Sequence, residues 1–467
     1  MTILINRIKR ILGDFAENVY VVGGTIRDRL SNREISDYDF AVIGDVASIS
    51  KMVSEKLGGS YVPYAEERGT YKVVYEKIMM DFTQLRGEYI EEDLRHRDFT
   101  INAMALRLND FFDSNLIIDP FGGLRDLQNK KIRCVSKDSF DEDPLRMLRA
   151  VRFASKYKFS IEEDTKNLIK EKSNLISKIS SERIMNEIYA ILKSKESFKY
   201  IKMMDELGLI DSVFPEIKNM KELGGCYYQV LDSWHHSLKT IEEYENIIQE
   251  LRFPSDMTKV ILSYLNKDLS SGNKLKDVLK LAAMFHEIGK KDAIYIDADN
   301  HIQFYNHDVK GEKIISGITK RLKMAKKESS LIKKMVLYHA NPFSIYVNGM
   351  SNKTIFKFFS DLEDDSIGCL LLSQADVVAA MKGQSRLNEA SCYRSFILNM
   401  LRRYMDFERT KTPLLTPLDI IVNFDLKDYK LLNQILYELR KNQFYGEIES
   451  REDAVKFVEE RMKMDKI

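Results

Sequence analysis

Apolar and polar positions change their rhythm near residue 135. Before it, short strand-like runs ("NVYVVGG", "SDYDFAVIG", "YKVVYEK", "IMMDFTQL") are interleaved with helical segments, the first being the amphipathic stretch "MTILINRIKRILGDF". From 141 onward the period is almost wholly helical, as in "DPLRMLRAVRFASKY", and the whole chain holds only 8 prolines. The pattern predicts an α+β protein, a mixed head followed by an all-α body. Punctuation divides it further. "DPFGGLRDL" (119–127) reads as a hinge, "FPEIKNMKELGGCYY" as a loop, and "TKTPLLTPLDI" (410–420) as the start of a helical tail. The expected divisions are a head at 1–135, a helical neck at 136–215, a helical body at 216–385 and a tail at 386–467. There is no internal repeat.

Within the head, "ISDYDFAVIGD" places Asp37 and Asp39 two apart in an apolar strand, so both carboxylates share one face and Tyr38 and Phe40 take the other. A strand end running into a solvated turn would do this. So would a site in which two carboxylates hold Mg²⁺ beside substrate phosphates. The preceding "VYVVGGTIRDRL" supplies an apolar strand, a Gly23-Gly24 turn and a helix start, where free N–H groups suit phosphate.

Bulk properties narrow the class. With 44% hydrophobic and 31% charged residues the chain suits a soluble, helix-rich protein, and with no apolar run of spanning length and no signal peptide it reads as cytoplasmic with no membrane partner. Net charge is +1, from 72 basic and 71 acidic residues, so a nucleic acid would need a local basic face. "KRLKMAKKESSLIKK" and "LRRYMDFERTK" are basic runs that suit phosphate contact or a solvated helix face equally. Four scattered cysteines, with no CxxC pair, give neither a zinc knuckle nor a disulfide framework.

"GGTIRDRLSNREISDYD" resembles the signature of the class II tRNA nucleotidyltransferase / poly(A) polymerase family, whose head is similar to the DNA polymerase beta palm. Colinear matches continue through "EEDLRHRDFTINAMAL" (91–106), "DPFGGLRDL", "DEDPLRMLRAVRFA" (141–154) and "SERIMNEI" (181–188), covering roughly residues 19–190. The resemblance implies a Mg²⁺-dependent nucleotidyltransferase with Asp37 and Asp39 as metal ligands and Asp81 as a candidate third catalytic carboxylate. It implies nucleotide binding by Gly23, Gly24, Arg27, Arg97, Asp98, Asn102, Glu142, Asp143, Arg146, Arg149 and Arg152. His96 stands where the family usually has an arginine, which places that arginine's contact in doubt. Helical spacing puts Glu142, Asp143 and Arg146 on one edge of a helix capped by Asp141; on an arbitrary helix this is a salt-bridge ladder. Under the resemblance, Asp143 and Arg146 read the base and Glu142 positions Arg146. Their acceptors and donors match cytosine and adenine and oppose uracil and guanine.

Six of the 7 histidines fall between 235 and 339, and along that stretch run "SWHHSL", "AAMFHEIGK", "FYNHDVKGE" and "LYHANPF", followed by "SQADVV". This order resembles an HD-type phosphohydrolase domain. The implied metal ligands are His236, His286, His307, His339 and Asp376, with Glu287 replacing the usual aspartate of the dyad. The extra methylene of Glu287 leaves open whether this domain binds an additional divalent metal and hydrolyses phosphoesters or is a structural body. The activity implied is template-free addition of CMP and AMP to the tRNA 3′ end, with tRNA, CTP and ATP as partners. Sister readings are a CC-adding or A-adding enzyme or a poly(A) polymerase; a reading from another class is an RNA-binding HD-type phosphohydrolase. The segment "YVPYAEERGTYK" (61–72) is expected to be a mobile polar loop.

Overall fold

The computed structural model describes residues 2–35, 37–223, 232–269, 272–296, 302–384 and 386–464. The described chain divides into two compact units, Met1–Ser194 with Lys202–Val213, and Lys195–Ile201 with Phe214–Ile467.

The first unit is built on a six-stranded sheet of β1 (Val19–Val22), β2 (Asp37–Val42), β3 (Ser60–Ala65), β4 (Thr70–Tyr75), β5 (Ile78–Gln84) and β6 (Ala105–Arg107), ordered β3-β4-β5-β2-β1-β6. Within this sheet, only β2 and β5 pair in parallel among the described residues. Alternation along β2 does what its sequence demands. Tyr38 and Phe40 are buried on one face, where Phe40 stacks on Phe82 at 4.7 Å between ring centroids. The helices Thr2–Leu12 and Val46–Leu57 cover that face through Leu4, Ile5, Ile8, Ile49 and Val53. This removes the aromatic side from water and leaves Asp37 and Asp39 on the other.

Four sequence expectations are corrected here. Residues 61–72 form the β3–β4 hairpin rather than a loop, with a register shift between Pro63 and Ala65 on the edge strand, where a proline is tolerated. Residues 214–223 begin with a 3-10 turn, Pro215–Ile217, and a short helix, Lys218–Lys221, rather than a loop; the rest of that stretch lies outside the described residues. The Gly122-Gly123 turn is packed, not a free hinge. Asp119 accepts from the N–H groups of Gly123 and Leu124, and a Cβ on Gly123 would lie 2.2 Å from the Thr100 carbonyl oxygen. The helix expected from Asp141 is two helices, Ser139–Glu142 and Leu145–Tyr157. Pro144 disfavours a helical Asp143, which takes φ −149° and ψ 99°. Asp141 pairs with Lys172 instead of capping.

The second unit is helical. Ser233–Glu250, Leu275–Phe285, His307–Arg321, Lys326–Tyr338 and Asp365–Gly383 form its centre, and the apolar core of the tail (Leu415, Ile420, Ile435, Leu439, Val458) gathers the helices from Pro417–Phe424 to Arg451–Met464. No described helix is long and apolar enough to cross a membrane.

Candidate active site

The first unit holds a cavity of about 670 Å³. One side is the polar face of the sheet. β1 is followed by Gly23, whose φ of +65° turns the chain into the helix Gly24–Leu30. A Cβ there would approach the Asp39 carboxylate at 3.1 Å and Arg97 Nη1 at 2.9 Å, so the turn needs glycine for both reasons. The Gly24 N–H donates to Asp39 Oδ2 at 3.2 Å, and Thr25 Oγ1 accepts from the Asp39 N–H at 2.9 Å, fixing turn and strand together.

Parallel pairing of β2 with β5 sets Asp81 directly beside Asp39. The third carboxylate expected on the adjacent strand is therefore there, and its Oδ1 is buried without a hydrogen-bond partner among the described residues. Burial pushes the Asp39 carboxyl up; Arg97 opposes this and Asp81 adds to it. Clustered carboxylate oxygens, one orphaned and one ionising against its surroundings, are a donor set that fits a hard divalent cation.

Cationic groups line the same cavity, Arg97 and Arg27 close beside Asp39. Arg97 is held by Asp93 at 2.9 Å, which also accepts from the Arg86 N–H. Arg27 chelates Asp28 at 2.9 and 2.8 Å, bonds Asn102 Oδ1, and lies over the Tyr157 ring at 4.6 Å. Asp98, buried, accepts from the Phe99 N–H at 2.8 Å, Asn102 Nδ2 at 2.9 Å and Arg149 at 2.9 and 2.7 Å. Burial alone would raise its carboxyl, but Arg149 and these hydrogen bonds hold it below its ordinary value. Arg152 bonds Glu187 at 2.6 Å.

Arg146 and Asp143 both line the cavity but are not on one helix edge. Arg146 Nη1 donates to Glu142 Oε2 at 3.0 Å and to Ser139 O and Oγ, and Nη2 donates to the His96 carbonyl at 2.6 Å. The Asp143 carboxylate accepts from the Leu145 N–H at 3.2 Å and pairs with Arg183 at 2.7 Å. His96 Nδ1 lies 3.0 Å from Glu142 Oε1, so Glu142 bridges His96 and Arg146. Every residue expected at the nucleotide site lies along this cavity or contacts its lining. Sequence reasoning missed Lys72, Asp93 and Arg183; Arg183 had a signal in its place in "SERIMNEI" and Asp93 in its place in "EEDLRHRDFTINAMAL", four residues before Arg97.

In the second unit all six expected ligands converge. His236, His286, Glu287 and Asp376 form one group, and Glu287, His307 and His339 a second, each with candidate ligand atoms within 4.8 Å of one another. His286, His307 and His339 each set Nδ1 against the carbonyl three residues back, at 2.8, 3.0 and 2.7 Å. That geometry assigns the proton to Nδ1 and turns Nε2 toward the cluster. His286 Nε2 is buried without a hydrogen-bond partner among the described residues, 3.5 Å from Asp376 and 3.7 Å from Glu287. Burial lowers His339 to about 4, with His286 and His307 adding to the effect. Glu287 is held low against burial, chiefly by Lys290 at 2.8 Å.

Comparison with known proteins agrees with this geometry. The family model described as the poly A polymerase head domain matches residues 19–90 and 86–133. The probable RNA and SrmB-binding site of polymerase A matches 158–221, and the HD domain matches 235–381. The A-adding tRNA nucleotidyltransferase of Deinococcus radiodurans is 26% identical over 458 residues, 96% of each chain. The CC-adding tRNA nucleotidyltransferase of Geobacter sulfurreducens is 30% identical over 272 residues, 58% of this chain and 59% of that one. The Thermotoga maritima CCA-adding enzyme complexed with tRNA shares the fold at TM-score 0.68 and 20% identity, over 99% of this chain and 95% of that one. Fold and site together define a nucleotidyltransferase with a palm-type head. The chain belongs to the class II tRNA nucleotidyltransferase / poly(A) polymerase family.

Proposed function

We propose that this enzyme adds CMP and then AMP to the 3′ end of tRNA without a nucleic-acid template. The observation that carries the reading is one cavity that gathers Asp37, Asp39 and Asp81 from the strands with Arg27, Arg97, Arg146, Arg149 and Arg152. In it the 3′-hydroxyl attacks the α-phosphate of the bound nucleotide and pyrophosphate leaves. Asp37 and Asp39 hold Mg²⁺, with Asp81 beside them; the bound ion supplies electrostatic stabilisation of the attacking and leaving oxygens. The Gly23-Gly24 turn and the following helix N-terminus receive the phosphates, and Arg27 and Arg97 neutralise them. Asn102 and Asp98 stand beside Arg27 and Arg149 and suit the ribose. Asp143 offers acceptors and Arg146 donors to the base edge, with Arg183 and Glu142 fixing them.

A second reading within the family is partial addition. It is favoured by the Deinococcus relative, named as A-adding, which matches end to end. Product sequencing separates the two. Purified enzyme is given tRNA lacking its CCA end, all four nucleoside triphosphates and Mg²⁺. A complete CCA end supports the proposal; arrest at CC, or A addition only to tRNA already ending in CC, establishes a partial enzyme. Long A tracts on unrelated RNA would overturn tRNA specificity.

For the second unit we infer a divalent-metal site on the histidine–carboxylate cluster, the residues present fitting it through the buried Nε2 of His286. We also propose the four-part division at 135, 215 and 385, with a tRNA-contacting tail, and a cytoplasmic location alongside tRNA.

A further inference from the structure

Directly opposite Asp81 across the β4–β5 pair stands Lys72. Its Nζ is 3.1 Å from Asp81 Oδ2, with the two side chains 25% and 35% exposed. Register rather than a flexible loop sets this pair, since both residues sit within paired strands and face the cavity. The same ammonium lies 4.4 Å from the centroid of the Tyr64 ring on β3, an exposed aromatic that offers it a second seat.

An ammonium and a divalent ion compete for the same carboxylate lone pairs. Arg27 and Arg97, close to Asp39, already serve the phosphates in the proposed reaction, so a lysine among the acids is not needed for them. We propose that Lys72 is a positioning residue that occupies the third carboxylate of the palm in the resting enzyme and is displaced toward Tyr64 when a divalent ion binds. Its presence thus sets the ion affinity of the palm below what three carboxylates would give. This rests on the reading of Asp37 and Asp39 as metal ligands. The plain alternative is a cross-strand ion pair that only stabilises the hairpin.

The test is direct Mn²⁺ binding to the full-length protein, followed by the electron paramagnetic resonance of free Mn²⁺. Binding to an Asp37→Asn/Asp39→Asn protein is subtracted to remove ions held by the histidine cluster. Lys72→Met should tighten the aspartate-dependent ion about fivefold, the coupling expected of a half-exposed ion pair. Lys72→Arg should bind as the parent does. An unchanged or weaker ion in Lys72→Met, even with a lowered melting temperature, would overturn the role and leave a structural pair. Absence of any aspartate-dependent ion in both parent and Lys72→Met would refute the metal reading itself, and the inference with it.

Discussion

Replacing Arg146 tests how this protein chooses a nucleotide. The side chain is held by Glu142, by Ser139 and by the His96 carbonyl, and its donors to these partners run through Nη1 and Nη2. The Nε–H has no bond to any of these, and in the proposed reaction it is the donor available to a base. One hydrogen bond from a charged donor is worth about 1.5–3 kcal/mol. Arg146→Ala should therefore reduce the preference for CTP over UTP, measured as the ratio of kcat/KM values, by roughly 10- to 150-fold. Single-turnover incorporation into tRNA lacking CCA, with each triphosphate alone, gives that ratio. Arg146→Lys should fail almost as badly, because a point charge cannot reproduce the planar fork. His96→Ala should move the ratio only a few-fold, since the main-chain bond to Arg146 survives and only the 3.0 Å contact to Glu142 is lost. An Arg146→Ala protein with a lowered melting temperature and unaltered nucleotide choice would refute the reasoning and return the network to a structural ladder.

The other predictions concern charge and metal. Asp39→Asn should abolish incorporation and melt at a higher temperature than the parent in chelator at pH 7: burial raises the Asp39 carboxyl, so stability is lost as pH climbs from its unfolded value toward its folded one, Asn removes that loss, and a lower melting temperature contradicts this. Arg149→Met should destabilise the first unit by about 1–3 kcal/mol at pH 7, by stranding Asp98 with fewer donors while its own half-exposed charge adds little. Because Asp98 is held low in the folded state, its stabilisation is full above its unfolded value and disappears as pH falls through the folded one. The gap between parent and Arg149→Met in urea unfolding should accordingly close in acid; a gap independent of pH would assign it to packing. Metal analysis of the purified protein should find fewer than two ions per chain in the histidine cluster, and Glu287→Asp should raise metal content or phosphodiesterase activity. No metal in either protein would make the cluster structural.

Much of this was legible in the sequence, and the gaps have physical causes. β1, β2, β4 and β5 carry continuous or alternating apolar residues, so they can be read. β3 cannot: an edge strand with Pro63 and mostly exposed side chains has nothing to bury and so no period. β6 spans only three residues. Helical arithmetic placed Asp143 beside Arg146 and failed at Pro144, whose effect on the preceding residue outweighs the i,i+3 pattern. The cavity still gathers both side chains, because the break redirects Asp143 to Arg183 on another helix. Lys72 was invisible because it acts through a partner on another strand, and no spacing rule announces a cross-strand lysine, whereas Asp93, at i,i+4 from Arg97 in "EEDLRHRD", could have been read. The histidine cluster was found through order alone, and Lys290, which occupies Glu287, through none of it.

Charge in the palm cavity is sorted rather than accumulated, and that bears on how its two ligands enter. Its lining has only slightly more basic than acidic side chains, and many are already paired: Arg27 with Asp28, Arg97 with Asp93, Arg149 with Asp98, Lys72 with Asp81. A triphosphate arriving alone meets carboxylates as well as guanidinium groups, and a divalent ion arriving alone meets the reverse. Each would have to be desolvated against a field of its own sign over part of the site. Arriving together, the ion screens the acidic strands from the phosphates, and the phosphates screen the arginines from the ion. Nucleotide and metal affinities should therefore be linked, each raising the other by the same factor. Tight triphosphate binding in chelator, equal to that in Mg²⁺, would show that the arginines act alone.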